Sequence, residues 1–227
     1  MPRGKPKART SAKAHDLEAI NRLDRVMPPK QARSTESMQR ILLALEQLLE
    51  RKSFSDITMA EIEAQSGCGI ATIYARFRDK DSILAALHES ISERFRSGID
   101  EATDPARWDG KSVEEASLKI ARGIVAHYTR NRNLLRAIML LDDMEVYERA
   151  ASLIRHASAR IGTVVARKDK VNSKDYERQL DLGTKAAYAL LQQRLVFHPI
   201  ATGRFPADDR EFAADLAYLI RLCAGRE

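Results

Sequence analysis

The sequence predicts an all-α protein, and three features of it carry that prediction. Leu, Ala, Arg, Glu and Ile dominate the composition, which favours helix. Apolar residues recur at three- and four-residue steps in one segment after another. Beyond the first 34 residues glycine and proline are sparse, and β-branched runs are short. The chain has 227 residues, 44% of them hydrophobic and 31% charged, which suits a globular protein with a well-buried core.

The elements can be justified in order. Residues 1–34 combine Pro2, Pro6, Pro28 and Pro29 with many charges and few large apolar side chains, so they read as a mostly disordered arm. A short helix over Asp16 to Val26 is allowed by Leu17, Ile20 and Leu23, with Pro28-Pro29 to end it. The first firm helix starts near Ser34 or Thr35 and runs to about Arg51, with Met38, Ile41, Leu42, Leu45, Leu48 and Leu49 on one face. Thr58-Met59-Ala60-Glu61 matches a capping box at the start of a second helix, and Ser66-Gly67 stops it. A third short helix is predicted from about Ile70 to Phe77. Asp79 caps a long fourth one through Ile83, Leu84, Leu87, Ile91 and Phe95. Amphipathic helices then follow at roughly 112–130, 132–141, 143–168, 175–198 and 208–224, with breaks at Asn131, near Asp142, at Lys168 to Ser173 and at Pro199 to Pro206.

Charge is unevenly placed. Residues 1–35 hold nine Lys or Arg against three acids, a net of +6, so the other 192 residues are neutral overall. A basic arm suggests a polyanionic partner, although a solubilising terminus has the same composition. No apolar run approaches the length of a transmembrane helix, and no apolar segment follows the basic start as in a secretory signal. Cys68 and Cys223 are isolated and fit a reducing cytoplasm. His15, His88, His127, His156 and His198 do not cluster, so neither a metal nor a cofactor is expected.

The second and third helices, joined by Ser66-Gly67-Cys68-Gly69, have the layout of a helix-turn-helix. Two packed helices need mean nothing more. Here, however, the third opens with small residues and can enter the roughly 12 Å major groove end-on. At Gln39 to about Leu87 the sequence resembles the tetracycline-repressor (TetR) family of bacterial regulators. The resemblance is carried by Ile57-Thr58-Met59-Ala60-Glu61-Ile62, Ser66-Gly67, and the run Ala71-Thr72-Ile73-Tyr74-Ala75-Arg76-Phe77-Arg78-Asp79-Lys80-Asp81-Ser82-Ile83-Leu84. It implies an arm at 1–34, a three-helix DNA-binding domain at 35–82, and a helical ligand-binding and dimerisation domain at 83–227. It also implies phosphate contacts from Thr58, Thr72, Tyr74, Arg76 and Lys80. Gly69, Ile70 and Ala71 would lie at base edges, and Ile73 and Phe77 in the core. Two residues depart from the family pattern. Gly69 is a weaker cap than the Ser or Thr often found there, and Ile70 can meet a thymine methyl but cannot hydrogen-bond a base. Residues 36–95 carry a net charge of −3, so phosphate contacts must come from local placement around Arg76, Arg78 and Lys80. The arm could add minor-groove contacts.

For the C-terminal half the resemblance implies a homodimer on a palindromic operator, answering to a small molecule. Ala187, Leu190 and Leu191, with Phe212, Leu216 and Leu219, form apolar stripes suited to a four-helix dimer interface. The same stripes also suit the protomer's own core. Trp108, His127, Tyr128, Met139, Met144 and Tyr147 are the candidate pocket residues, and each could equally be ordinary packing. The expected protein is a cytoplasmic transcription regulator, a repressor by resemblance, associated with the nucleoid when bound to DNA. Control by a protein partner, or by none, is the alternative, and it would leave the C-terminal half without an internal cavity. An enzyme is the remote one, because no Walker loop, dinucleotide fingerprint, Gly-x-Ser-x-Gly or His-Glu-x-x-His occurs.

Overall fold

The computed structural model describes residues 20, 26, 32–141, 143–169 and 174–223, the side chains of 32–34, 166–169 and 223 excepted. Among these residues there are nine α-helices and no β-strand: α1 (Ala32–Leu49), α2 (Met59–Ser66), α3 (Ile70–Tyr74), α4 (Lys80–Ala102), α5 (Val113–Arg130), α6 (Arg132–Met139), α7 (Met144–Asp169), α8 (Lys174–Phe197) and α9 (Asp209–Cys223). Short 3-10 turns at Phe54–Asp56 and Pro105–Trp108 complete the chain. The helix expected over Asp16 to Val26 lies outside the described residues except for Ile20 and Val26. The breaks near Asp142 and at Lys168 to Ser173 fall largely outside them, as does the side chain of Cys223.

The N-terminal half is organised by burial on α1. Met38, Ile41, Leu42, Leu45, Leu48 and Leu49 are all buried, as their helical spacing requires. The capping box at Thr58 forms: the Glu61 amide donates to Thr58 Oγ1 at 3.3 Å, and the Thr58 amide donates to Glu61 Oε2 at 2.9 Å. The Lys52 ammonium and then the Thr58 amide hold the Glu61 carboxyl down at about 2. Gly67 ends α2 at φ +63°, the left-handed conformation that glycine adopts without cost. The next helix stops at Tyr74, three residues short of the expected Phe77. There the Arg76 and Phe77 amides both turn back to the Ile73 carbonyl, and Phe77 pairs with Val26 in an isolated antiparallel bridge. Val26 and Ile20 are both buried in the N-terminal core, so the segment before α1 contributes to it.

Asp79 caps α4, accepting from the Ser82 amide at 2.7 Å and the Ser82 hydroxyl at 2.6 Å. Every residue from Ser82 to Ile91 is buried, which marks α4 as the central helix. Its first half belongs to the core of α1–α3, and that same core also takes Leu134 and Ile138 of α6 and Val146 of α7. A second core gathers α5, α7, α8 and α9 around Ile120, Ile161, Leu191 and Leu216. Arg149 of α7 ties the two helices in the middle, pairing with Glu89 of α4 at 3.1 Å and with Glu145 at 2.7 Å.

Two histidines sit where α4 meets α5. The His88 ring is buried, with Ser92 Oγ 3.3 Å from Nε2. The His127 ring stacks on Phe95 at a centroid distance of 3.9 Å, and the Asn131 amide lies 3.3 Å from its Nδ1. Burial pushes His88 down to about 4. Burial first, then the charges of His88 and Arg130, push His127 down to about 4 as well. Both rings are therefore neutral in the fold. In the unfolded chain they take up protons near pH 6.5, as an ordinary histidine does. Their contribution to stability is complete above that pH and is lost as pH falls from about 6.5 towards about 4. The loss at pH 5 is roughly 2 kcal/mol for each ring. Urea unfolding followed from pH 7.5 down to 4.5 should show it; a flat midpoint below pH 6.5 would mean that the rings are not held neutral.

Candidate nucleic-acid interface and regulatory cavities

The surface of α3 is divided by helical spacing. Ile73 and Phe77, four residues apart, are fully buried against the N-terminal core. Gly69, Ile70, Ala71, Thr72 and Tyr74 are exposed, Tyr74 at 53%. Thr58, at the N-cap of α2, is exposed as well. The five around α3 form a surface of small residues, one isoleucine, one hydroxyl and one aromatic, presented by a helix that has only five residues of its own, and Thr58 adds a second hydroxyl from the start of α2. Hydroxyl and backbone N–H groups at such a helix start are the usual partners of phosphate, and small residues let base edges approach.

The two basic candidates are placed differently from the expectation. Lys80 turns inward: its Nζ donates to the carbonyls of Phe54 at 3.0 Å and Ile57 at 2.8 Å, and lies 4.3 Å from the centre of the Phe54 ring. An ammonium has three N–H bonds, so one remains for a further acceptor. Arg76 is half-buried, and its Nε has no hydrogen-bond partner among the described residues. Arg78 is the exposed cation beside them, paired with Asp79 at 3.0 Å.

One residue was missed. The Glu63 carboxylate accepts from the Ile70 amide at 2.7 Å and so caps α3 in place of Gly69, which has no side chain to do so. Capping is usually sought in the residue before a helix. Here the cap comes from seven positions earlier, across the turn, and only the folded chain brings it there.

In the C-terminal half, two cavities meet at shared walls. The inner one, about 60 Å³, is apolar and lies among α4, α5, α7, α8 and α9, with Phe95, Ile124, Leu153, Tyr188 and Leu216 in its lining. The outer one, about 210 Å³, is lined by Thr129, Arg132, Arg194, His198, Asp209 and Phe212. Tyr128 and Leu191 line both. Burial raises the Tyr128 phenol above its ordinary value, so its hydroxyl stays protonated. Asp209 is fully engaged: Arg194 Nη2 donates to one oxygen at 2.8 Å and Thr129 Oγ1 to the other at 2.9 Å. Arg132 donates to His198 Nε2. Burial first, then Arg132 and Arg194, hold His198 below the ordinary histidine value, which suits an imidazole that accepts.

Of the six pocket candidates, Tyr128 alone lines these cavities. Trp108 is buried elsewhere, donating from Nε1 to the Ala102 carbonyl at 2.8 Å. His127 is taken up by its stack on Phe95. Met139 is half-buried at the end of α6, Met144 is 68% exposed and Tyr147 lies at the surface, and none of the three lines either cavity. The interface candidates also divide. Ala187, Leu191 and Leu216 are buried in the protomer's own core, and Phe212 and Leu219 are half-buried. Leu190 is 38% exposed, and Leu182, Phe197, Tyr218 and Leu222 stand exposed on α8 and α9 with it. Small and apolar residues pack both ways, and periodicity alone does not say against what.

Residues 41–87 match the family model of bacterial regulatory proteins, tetR family. No curated protein matches. Among solved structures, a TetR-family transcriptional regulator from Mesorhizobium loti superposes with a TM-score of 0.64 at 15% identity, covering 85% of this chain and 97% of its own. One from Streptomyces coelicolor gives 0.64 at 15% identity, covering 83% and 80%. A third, from Rhodococcus sp. RHA1, gives 0.52 at 16% identity, covering 84% and 97%. At such identities it is the fold that is shared.

The placement of Lys80 has a consequence for stability. Lys80→Ala should lower the unfolding free energy by about 1–2 kcal/mol, because two carbonyls lose a charged donor. Chemical denaturation of the variant without DNA checks this, and an unchanged midpoint would mean that Lys80 is free to leave those carbonyls.

Proposed function

We propose that the chain, whose residues 41–87 match the family model of bacterial regulatory proteins, tetR family, is a DNA-binding transcription regulator: a dimeric repressor released from a palindromic operator by a small molecule. The observation that carries this reading is the exposed face of Gly69 to Tyr74, held out by the buried Ile73 and Phe77. In this reading Thr58, Thr72 and Tyr74 contact phosphates, Ile70 and Ala71 face base edges, and Arg76, Arg78 and the remaining N–H of Lys80 supply positive charge. The exposed residues Leu190, Phe197, Tyr218 and Leu222 support pairing of α8 and α9 with those of a second copy. A two-fold axis there would set the two α3 helices into successive major grooves, roughly 34–36 Å apart. The paired cavities support a small-molecule effector over control by a protein partner. Among the described residues no helix is long and apolar enough to cross a membrane.

Selection of bound sites from random duplexes with the full chain tests the reading. An enriched inverted repeat is the expected result, and no enrichment would overturn it. On the selected site, Thr72→Ala and Tyr74→Ala should weaken binding to all duplexes alike, whereas Ala71→Ser should change which bases are preferred. In sedimentation, Tyr218→Glu should shift the protein towards monomer and weaken operator binding with it. A Tyr218→Glu protein that stayed dimeric would place the interface elsewhere.

A further inference from the structure

We infer that the effector is a small amphipathic carboxylate, seated in the outer cavity with its carboxylate on Arg132 and its apolar end against Tyr128 and Leu191, the wall shared with the inner cavity, and that Asn133 passes its binding to the DNA-binding half. This rests on the ligand-controlled reading above and adds the chemical class and the route.

The charge balance of the outer cavity sets the class. Arg132 and Arg194 face it against a single carboxylate, Asp209. Asp209 is already held by Arg194 and Thr129, and Arg194 also donates to the Ala207 carbonyl at 3.0 Å. Arg132 is thus the cation without a carboxylate among the described residues, and its hydrogen bond goes to His198, a neutral acceptor. A ligand carboxylate in that position would exchange a neutral acceptor for a charged, two-pronged one, the partner a guanidinium binds best. Thr129, His198 and Asp209 are exposed, so this end is open to solvent. Beyond Tyr128 and Leu191 the lining turns mostly apolar; of the two hydroxyls on its α8 wall, Thr184 already donates to the Leu180 carbonyl at 2.6 Å and Tyr188 accepts from Gln192 Nε2 at 2.7 Å. The site therefore has one charged end and one largely apolar end. A cation has no free carboxylate to meet there, and a neutral molecule leaves Arg132 unused.

The route follows from neighbouring residues. Arg132 opens α6, and Asn133 is next. The Asn133 side chain donates to the carbonyl of Leu49 at 2.7 Å and of Lys52 at 3.2 Å, at the end of α1. Leu134 and Ile138 of the same helix are buried in the N-terminal core. Any displacement of Arg132 towards a ligand is thus applied, one residue later, to the helix that backs α3.

The test uses the full-length protein, its selected operator, and octanoate, octanol and acetate as probes. Calorimetry without DNA reads binding, and anisotropy of labelled operator reads release. Octanoate should bind and weaken operator binding, with octanol and acetate each weaker by about tenfold or more, the worth of one charged hydrogen bond or of the chain. Arg132→Gln should still bind operator, which reports its folding, and should lose octanoate affinity by about tenfold or more. Should it misfold, Arg132→Lys, which keeps the charge but not the fork, should fall between. Asn133→Ala should bind octanoate normally and release operator less. Equal action of octanol, or undiminished octanoate binding by Arg132→Gln, overturns the carboxylate class. Full release in Asn133→Ala overturns the route. If octanol releases operator and octanoate does not bind, ligand control stands and the class falls. If none of the probes binds, the class falls too, while an operator obtained by selection leaves the DNA-binding reading standing.

Discussion

A five-residue helix does not persist in water on its own, since nucleation costs more than so few hydrogen bonds return. Helix α3 exists because Ile73 and Phe77 are buried beneath it, and the rest of the N-terminal half is arranged to receive them. The capping box sets where α2 begins, Gly67 sets where it turns, and Glu63 closes the start of α3. Val26 adds a backbone pairing at Phe77 itself. Each device fixes the chain on either side of the two buried residues, and so fixes how their exposed neighbours point. The division on α3 follows from burial: Ile73 and Phe77 hold the helix, and Gly69 to Thr72 and Tyr74 are left exposed by it.

Most of the fold was legible because helices announce themselves through period and caps. Met38 to Leu49 could be placed on a buried face from spacing, and Thr58, Gly67 and Asp79 marked boundaries within a residue or two. The end of α3 was not legible. Phe77 keeps helical spacing with Ile73, but it is held by a bridge to Val26, fifty-one positions away in the chain, which no local pattern records.

The candidate sites were legible to a smaller degree, for reasons that differ by residue. Exposure of Thr72 and Tyr74 follows from the burial of Ile73, so it could be argued from spacing. The direction of Lys80 could not, because the carbonyls of Phe54 and Ile57 that receive it are set by a 3-10 turn of no clear sequence signature. The cavities were harder still. Trp108, His127 and Met144 were chosen for chemical character, whereas a cavity is made by what five helices fail to fill. Arg132 opens α6 and Arg194 and His198 lie around the end of α8, so they come from two separate stretches that converge only in space.

Helix α4 runs unbroken for 23 residues, roughly 34 Å; its first half is buried in the N-terminal core, and Phe95 further along lines the inner cavity. The N-terminal core also borrows Leu134, Ile138 and Val146 from beyond α5, so cutting the chain after α4 would strip three apolar residues from the DNA-binding half. Local opening of α6, or of the start of α7, would therefore uncover the N-terminal core. Amide exchange in α3 would then report on events in the C-terminal bundle with no need for a moving hinge.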